Sequence, residues 1–121
     1  MIVERAGEYL AVVLPRSRVV FPGGLMLWQE QPQQTAEREG REETGLHLHA
    51  IELMKVYSNP TSKMTKLSAI TFAYTAEVVG GELCKNAEGR PCWLNESELR
   101  QRMLPDYLRI LDDYLAWQKT R

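Results

Sequence analysis

The chain has little cysteine and no long apolar run. Cys84 and Cys92 are its only cysteines, and they lack the spacing of metal-binding pairs, so we expect two reduced thiols. No apolar stretch approaches the roughly 20 residues that a membrane-spanning helix requires. The first residues also lack the basic segment and apolar core of a signal peptide. We therefore expect a cytoplasmic protein with no membrane partner.

An excess of charge of one sign is also missing. Fifteen Lys and Arg residues stand against 16 Asp and Glu residues, which gives a formal net charge of −1, and no basic run is present. Non-specific binding to a nucleic-acid backbone needs clustered cations, so we expect no nucleic-acid partner. Ser58, Ser62 and Ser68 lack the histidine and acid placement of a nucleophile, which argues against covalent catalysis.

No linker, repeat or low-complexity segment interrupts the 121 residues, so we expect a single domain over residues 1–121 with one core. Alternating and β-branched stretches predict strands over residues 1–4, 8–14, 18–21, 50–58, 67–79 and 91–94. Asn95 and Glu98 have the spacing of a capping box that opens a short helix. An amphipathic C-terminal helix packed on the core is predicted by apolar residues at helical spacing, which are Leu104, Tyr107, Leu108, Leu111, Tyr114 and Leu115.

One segment combines carboxylates and glycines at fixed spacings. Pro32 suits the first turn of a helix and Gly45 suits the left-handed position just past a helix end, so we expect a strand, a glycine loop, a helix and a turn. On that helix, Glu39, Glu42 and Glu43 project from one face. Their repulsion, about 0.2–0.5 kcal/mol per pair, is relieved if divalent cations bind them. Carboxylate oxygens suit Mg²⁺ or Mn²⁺.

An ordinary surface helix is the alternative interpretation of these residues. Glu37 with Arg41, and Arg38 with Glu42, are spaced i, i+4, as in salt-bridged solvated helices. Any single pair fits that alternative. The whole set of carboxylates, glycines and helix ends favours a functional site.

The segment resembles the signature of the Nudix (MutT-type) hydrolases, Gly-x5-Glu-x7-Arg-Glu-U-x-Glu-Glu-x-Gly-U, in which U is bulky and apolar. Eight of its nine defined positions match, at Gly24, Glu30, Arg38, Glu39, Glu42, Glu43, Gly45 and Leu46. The resemblance implies an α/β (α+β) fold. That fold is an α/β/α sandwich with a mixed curved β-sheet, a catalytic helix that follows a glycine loop, and a C-terminal amphipathic helix.

Three residues depart from the family pattern. Gly40 stands in place of an apolar residue, Gln29 in place of a common glycine, and Gln31 in place of a common serine or threonine N-cap. A glycine inside a helix costs about 1 kcal/mol relative to alanine. Because Ala36, Gly40 and Thr44 are all small, we expect this helix to lie unusually close to the sheet.

The resemblance implies an enzyme that hydrolyses a pyrophosphate bond in a nucleoside diphosphate linked to another group, by water attack on phosphorus with Mg²⁺ or Mn²⁺ as cofactor. It assigns metal-binding roles to Gly24, Glu39, Glu42 and Glu43, with Glu39 as ligand or base. Glu30 and Arg38 would form a supporting ion pair between the loop and the helix.

Residues outside the motif would complete the site. Glu88 lies in a loop before a tryptophan-bearing strand, where many family members carry a metal ligand or base; a solvated turn glutamate is the alternative. Contacts with substrate are expected from Trp28, Arg16, Arg18, Tyr57 and Phe72. Pro60 stands 15 residues beyond Gly45, a spacing similar to that of ADP-ribose-cleaving members. A (d)NTP, a damaged nucleotide, ADP-ribose and a nucleotide sugar stay open as substrates.

Two further expectations concern an alternative function and the oligomeric state. The alternative function is a Nudix-like module that binds a nucleotide or a partner without turnover, which only Gly40 and Gln29 support. The first strand begins a few residues before the turn at Gly7 and looks truncated. An exposed strand edge invites pairing with another chain, so we expect a homodimer.

Overall fold

Six strands and three α-helices are present in the residues that this computed structural model describes, 1–64 and 66–121. The strands are β1 (Glu4–Arg5), β2 (Glu8–Leu14), β3 (Arg18–Val20), β4 (Leu46–Ser62), β5 (Leu67–Gly81) and β6 (Arg90–Asn95). The helices are α1 (Pro32–Thr44), α2 (Glu96–Arg102) and α3 (Pro105–Lys119). Strands β4 and β5 are longer than predicted, because β4 begins immediately after Gly45 and β5 continues through two glycines to pair with it.

Strand β2 is the centre of the larger sheet. It pairs with β6 along one edge, and β1 and β3 share the other edge, all antiparallel. Strands β4 and β5 form a long antiparallel ribbon. Ile2 connects this ribbon to the rest of the sheet by a parallel bridge to β5, where its N–H donates to Tyr74 O at 2.8 Å and its carbonyl accepts from Ala76 N–H at 3.0 Å.

The prediction that residues 1–4 form an exposed edge strand is wrong. Val3 O accepts from Leu10 N–H at 2.9 Å on one side, while Ile2 is bonded to β5 on the other. The side chains of Met1, Ile2 and Val3 are 7%, 2% and 1% exposed. The first residues are therefore an interior strand segment, which removes the reason given for a homodimer.

Helices cover both faces of the sheet. Alternate residues of β2 point to opposite faces, and apolar side chains on each face are buried against helices. Helices α2 and α3 pack on one face, in a core cluster that includes Tyr9, Ala11, Leu99, Leu111 and Tyr114. Helix α1 covers the other face, where a second cluster includes Met1, Val3, Leu10, Leu46, Leu48 and, at its margin, Ala36. The predicted α+β class with helices on both sides is confirmed. No helix in the described part of the chain has the length and apolar character of a membrane span.

Gly40 lies where α1 meets the sheet. A Cβ atom built on it would stand 2.7 Å from Leu48 Cδ1 and 3.1 Å from Met1 Sδ. One turn further along, Thr44 is fully buried, and its hydroxyl donates to Gly40 O at 2.6 Å. The small residues of α1 thus allow the close approach that the sequence predicted.

A leucine at position 40 is expected to lower the free energy of unfolding by about 1–3 kcal/mol, because the interface with the sheet has no room for four more carbons. Gly40→Ala is the matched control. Its gain in helix propensity, about 1 kcal/mol, offsets the displacement of flexible ends of Leu48 and Met1. Urea denaturation of the three proteins measures both effects. Equal stability of the leucine and alanine variants would contradict the close packing.

Candidate active site

The loop between β3 and α1 brings its backbone against two of the motif's carboxylates. Gly23 N–H donates to Glu43 Oε1 at 2.7 Å. A Cβ atom at Gly24 would overlap the carboxylate of Glu39. Glycine is thus needed at position 24 for the loop to pass this close to the helix.

Arg38 connects the loop to the helix, as the resemblance implied. Its Nε donates to Glu30 Oε2 at 2.7 Å and its Nη2 to Glu30 Oε1 at 3.1 Å. Its Nη1 donates to Glu39 Oε1 at 2.7 Å and to Glu42 Oε2 at 3.2 Å, and its Nη2 also donates to Leu25 O at 3.0 Å. The hydrogen bonds from Arg38 are the main reason that the pKa of Glu30 is lowered to about 2. One guanidinium thus holds three motif carboxylates and the loop backbone.

Glu43 is the buried member of the carboxylate set. Only 8% of it is exposed, and burial raises its pKa to about 7, with smaller upward contributions from the negative charges of Glu39 and Glu88. At neutral pH its neutral form is therefore about as populated as its charged form. A bound cation would favour the charged form.

Asn86 brings Glu88 to the site. Its Nδ2 donates to Glu43 O at 2.7 Å and to Glu42 O at 3.2 Å, which fixes the loop to the last turn of α1. Its Oδ1 accepts from Glu88 N–H at 2.8 Å and from Gly89 N–H at 3.2 Å. The sequence pattern did not single out Asn86, although an asparagine that bonds backbone N–H groups two and three residues on is a recognised turn former.

The donor atoms at this site are of the chemical type that binds a divalent cation. Glu39, Glu42, Glu43 and Glu88 supply carboxylate oxygens, which hard cations prefer. Among residues 1–64 and 66–121, however, no three His, Cys, Asp or Glu side chains are arranged so that they could hold a metal ion. The Glu42 side chain is 60% exposed and is bound to Arg38, so it must turn away from the guanidinium to join a ligand set.

A cavity of about 330 Å³ opens beside the glycine loop. Its walls include Phe21, Gly23, Gly24, Phe72, Tyr107 and Ile110, and no charged side chain lines it. Phe72 was expected to contact substrate and is here. Phe21 and Tyr107 were not expected to contact substrate, because their positions in the sequence pattern are equally typical of core residues. An uncharged aromatic wall of this kind suits a planar ring.

The structure does not bring four of the five expected substrate contacts to this cavity. Trp28 is 91% exposed on the outside of the loop. Tyr57 is 3% exposed in the core, where its hydroxyl donates to Asp113 Oδ2 at 2.6 Å. Arg18 is exposed, and its Nε donates to Pro15 O at 3.3 Å. Arg16 lies elsewhere, in a groove beside Glu88.

Two curated relatives match most of this chain. A protein of Methanocaldococcus jannaschii named ADP-ribose pyrophosphatase is 28% identical over 98 residues, which are 81% of this chain and 57% of that protein. A MutT-like protein of Streptomyces ambofaciens is 32% identical over 94 residues, which are 76% of this chain and 58% of that protein. The chain thus spans less than two thirds of the length of either relative.

Solved structures show the same fold. A NUDIX hydrolase from Nitrosomonas europaea superposes with a TM-score of 0.82 at 24% identity, covering 95% of this chain and 84% of that one. The model of the NUDIX domain matches residues 1–115. The glycine loop, the carboxylate helix and the fold therefore agree with one assignment, and the chain belongs to the NUDIX family.

Proposed function

We propose that this chain is a metal-dependent nucleotide pyrophosphohydrolase. It would hydrolyse a pyrophosphate bond in a nucleoside diphosphate linked to another group, with Mg²⁺ or Mn²⁺ as cofactor. The observation that carries this proposal is the contact of the Gly23-Gly24 backbone with the carboxylates of Glu39 and Glu43 at the mouth of an uncharged cavity. A binding module has no need to hold buried, clustered carboxylates beside its ligand.

The carboxylates divide into a binding set and a supporting set. Glu39, Glu42, Glu43 and Glu88 would hold the cations. When bound, the cations would neutralise the pyrophosphate and acidify the attacking water. Arg38 keeps Glu39 in place and limits the repulsion between it and Glu42, while Glu30 anchors Arg38 to the loop. Arg38 therefore orients the site rather than binding substrate.

The relatives' names are compatible with this chemistry. ADP-ribose contains a pyrophosphate bond, and cleavage of that bond is what the name of the Methanocaldococcus jannaschii relative states. In this chain, the nucleoside would occupy the cavity beside Phe72 and Tyr107. Its two phosphates would then extend past Gly24 toward the carboxylates of α1.

The test is a product assay over nucleoside triphosphates, ADP-ribose, dinucleotides and nucleotide sugars, with Mg²⁺, with Mn²⁺ and with chelator. We expect turnover of at least one substrate that needs a divalent cation and stops with chelator, because four carboxylates cannot approach a pyrophosphate without cations. No turnover on the whole panel, with tight nucleotide binding retained, would replace this proposal with that of a binding module.

A further inference from the structure

The segment that follows β5 binds the carboxyl end of α1. The last carbonyl groups of a helix have no partner within the helix and need one from elsewhere. Thr44 O accepts from Cys84 N–H at 2.8 Å. The two carbonyls before it, those of Glu42 and Glu43, both accept from Asn86 Nδ2. A distant part of the chain thus caps the helix that carries the motif carboxylates.

This segment, residues 82–89, connects β5 to β6 and contains neither helix nor strand. Asn86 and Gly89 are half-buried, and the other six residues are exposed. A segment with so little buried surface is held in place mainly by the few bonds that fasten it. The bonds of Asn86 therefore have a large share in deciding where the segment lies.

Glu88 lies in a turn that Asn86 closes. The backbone N–H of Asn86 donates to Gly89 O at 3.2 Å, and its Oδ1 accepts from the N–H groups of Glu88 and Gly89. Gly89 lies close to β2, since a Cβ atom built on it would stand 2.8 Å from Val12 Cγ1. The backbone of Glu88 is thus held on both sides, by α1 through Asn86 and by β2 at Gly89.

We propose that Asn86 is a positioning residue of the cation site, which sets the place of Glu88 relative to Glu43 and thereby the affinity for a divalent cation. The inference rests on the proposed function, in which both carboxylates bind the cation. The negative charge of Glu88 acts on Glu43, so the two carboxylates are near each other. The two ends of the Asn86 amide have separate tasks, because Oδ1 holds the turn and Nδ2 fastens it to α1.

The first experiment measures Mn²⁺ binding without substrate, from the electron paramagnetic resonance signal of free Mn²⁺. We expect Asn86→Ala to raise the Kd by about 10-fold or more, as when a metal ligand loses the group that orients it. In a Glu88→Gln background the same substitution should change the Kd by less than about threefold, because Asn86 acts through Glu88. Equal changes in the two backgrounds would overturn the inference.

Glu82→Gln is the matched control, because Glu82 is an exposed carboxylate of the same segment. We expect its Kd for Mn²⁺ to stay within about threefold of the wild type. If Glu82→Gln weakens binding as much as Glu88→Gln, the total charge of the segment matters rather than the place of Glu88, and the inference is wrong.

Asn86→Asp tests the contact with α1 and keeps the turn. Aspartate still offers an oxygen to the N–H groups of Glu88 and Gly89, but it places a carboxylate against the carbonyls of Glu42 and Glu43. We expect Mn²⁺ binding as weak as in Asn86→Ala, with thermal melting in chelator to show that each variant is folded. Wild-type affinity in Asn86→Asp would overturn the inference. This variant also replaces the alanine variant if the latter does not fold.

Product assays on the same proteins separate this inference from the proposed function. A wild type that turns over no substrate, with Mn²⁺ binding that depends on Asn86 as described, would refute the enzyme and support the role of Asn86. An active wild type whose Mn²⁺ affinity is unchanged in Asn86→Ala would refute that role alone. A wild type that binds no Mn²⁺ would refute both.

Discussion

Replacing Glu42 and Glu43 together with glutamine is expected to lower kcat/KM by about 10³-fold or more, on the scale of losing electrostatic stabilisation of developing charge. That loss corresponds to about 4 kcal/mol of transition-state stabilisation. Glutamine keeps the size of each side chain and leaves an oxygen to accept the Gly23 N–H. It cannot supply the negative charge that a divalent cation requires. Steady-state kinetics on the best substrate of the panel, at saturating Mg²⁺, measures the effect.

The same variant should remain folded, which separates a lost function from a lost structure. The folded-state pKa of Glu43, about 7, lies above its value of 4.5 in the unfolded chain. Its contribution to stability is therefore present below pH 4.5 and is lost as pH rises through 7. Glutamine cannot ionise, so in chelator at pH 8 the variant should melt no lower than the wild type.

Glu37→Gln is the matched control for this prediction. Glu37 is on the same helix, but its Oε2 accepts from Ala50 N–H at 2.9 Å, on the sheet side of α1. Glutamine can accept the same bond, so we expect kcat/KM to stay within about threefold of the wild type. Full activity in the Glu42/Glu43 double variant would rule out metal binding by the motif. A comparable loss in Glu37→Gln would show that any uncharged residue on α1 disturbs the helix.

The parts of the site that lie close together in sequence were predictable. The spacing of Glu30, Arg38, Glu39 and Glu43 around one glycine loop and one helix determines which side chains can meet, because a helix repeats every 3.6 residues. The close packing of α1 at Gly40 was predictable for the same reason, since Ala36, Gly40 and Thr44 place only small side chains on one face of the helix. The neighbour itself, Leu48 with Met1, came only from the structure.

Contacts between distant segments were not predictable in this way. Tyr57 and Phe72 are both aromatic residues on strands, and pattern alone gives them equal claims to the substrate. Their facing partners decide the matter, because Tyr57 meets Asp113 from α3 while Phe72 opens onto the cavity. Trp28, which lies in the loop between β3 and α1, was also expected to contact the substrate. Loop residues can turn outward without breaking any regular pattern, and Trp28 does.

The prediction of an exposed edge at residues 1–4 was wrong because the sequence of a strand does not determine how many strands pair with it. A short segment at residues 1–4 is an edge if one strand pairs with it and an interior strand if two do. Here Val3 pairs with β2 and Ile2 with β5. The apolar side chains of Met1, Ile2 and Val3 were a usable signal, since a run without a polar residue favours burial on both faces.

Gly24→Ala is expected to lower kcat/KM by about 10²-fold, although it adds a single carbon. A Cβ atom at this position overlaps the Glu39 carboxylate, so either the loop or Glu39 must move. A displacement of about 1 Å in a catalytic group costs about that factor. Gly24 is exposed and its φ lies outside the left-handed region, so the melting temperature should fall little. Kinetics and thermal melting measured on the same preparation separate the two effects.

The neighbouring glycine is the control that makes this prediction specific. A Cβ atom at Gly23 would have no atom within 4 Å, and alanine keeps the N–H that donates to Glu43 Oε1. Gly23→Ala should therefore lose at least about 10-fold less activity than Gly24→Ala. If both substitutions are harmless, the loop does not have to approach Glu39 for catalysis. If both substitutions lower activity equally, the chain needs two glycines here for loop flexibility rather than for the contact with Glu39. The contact between Gly24 and Glu39 would then no longer support a catalytic role for Glu39.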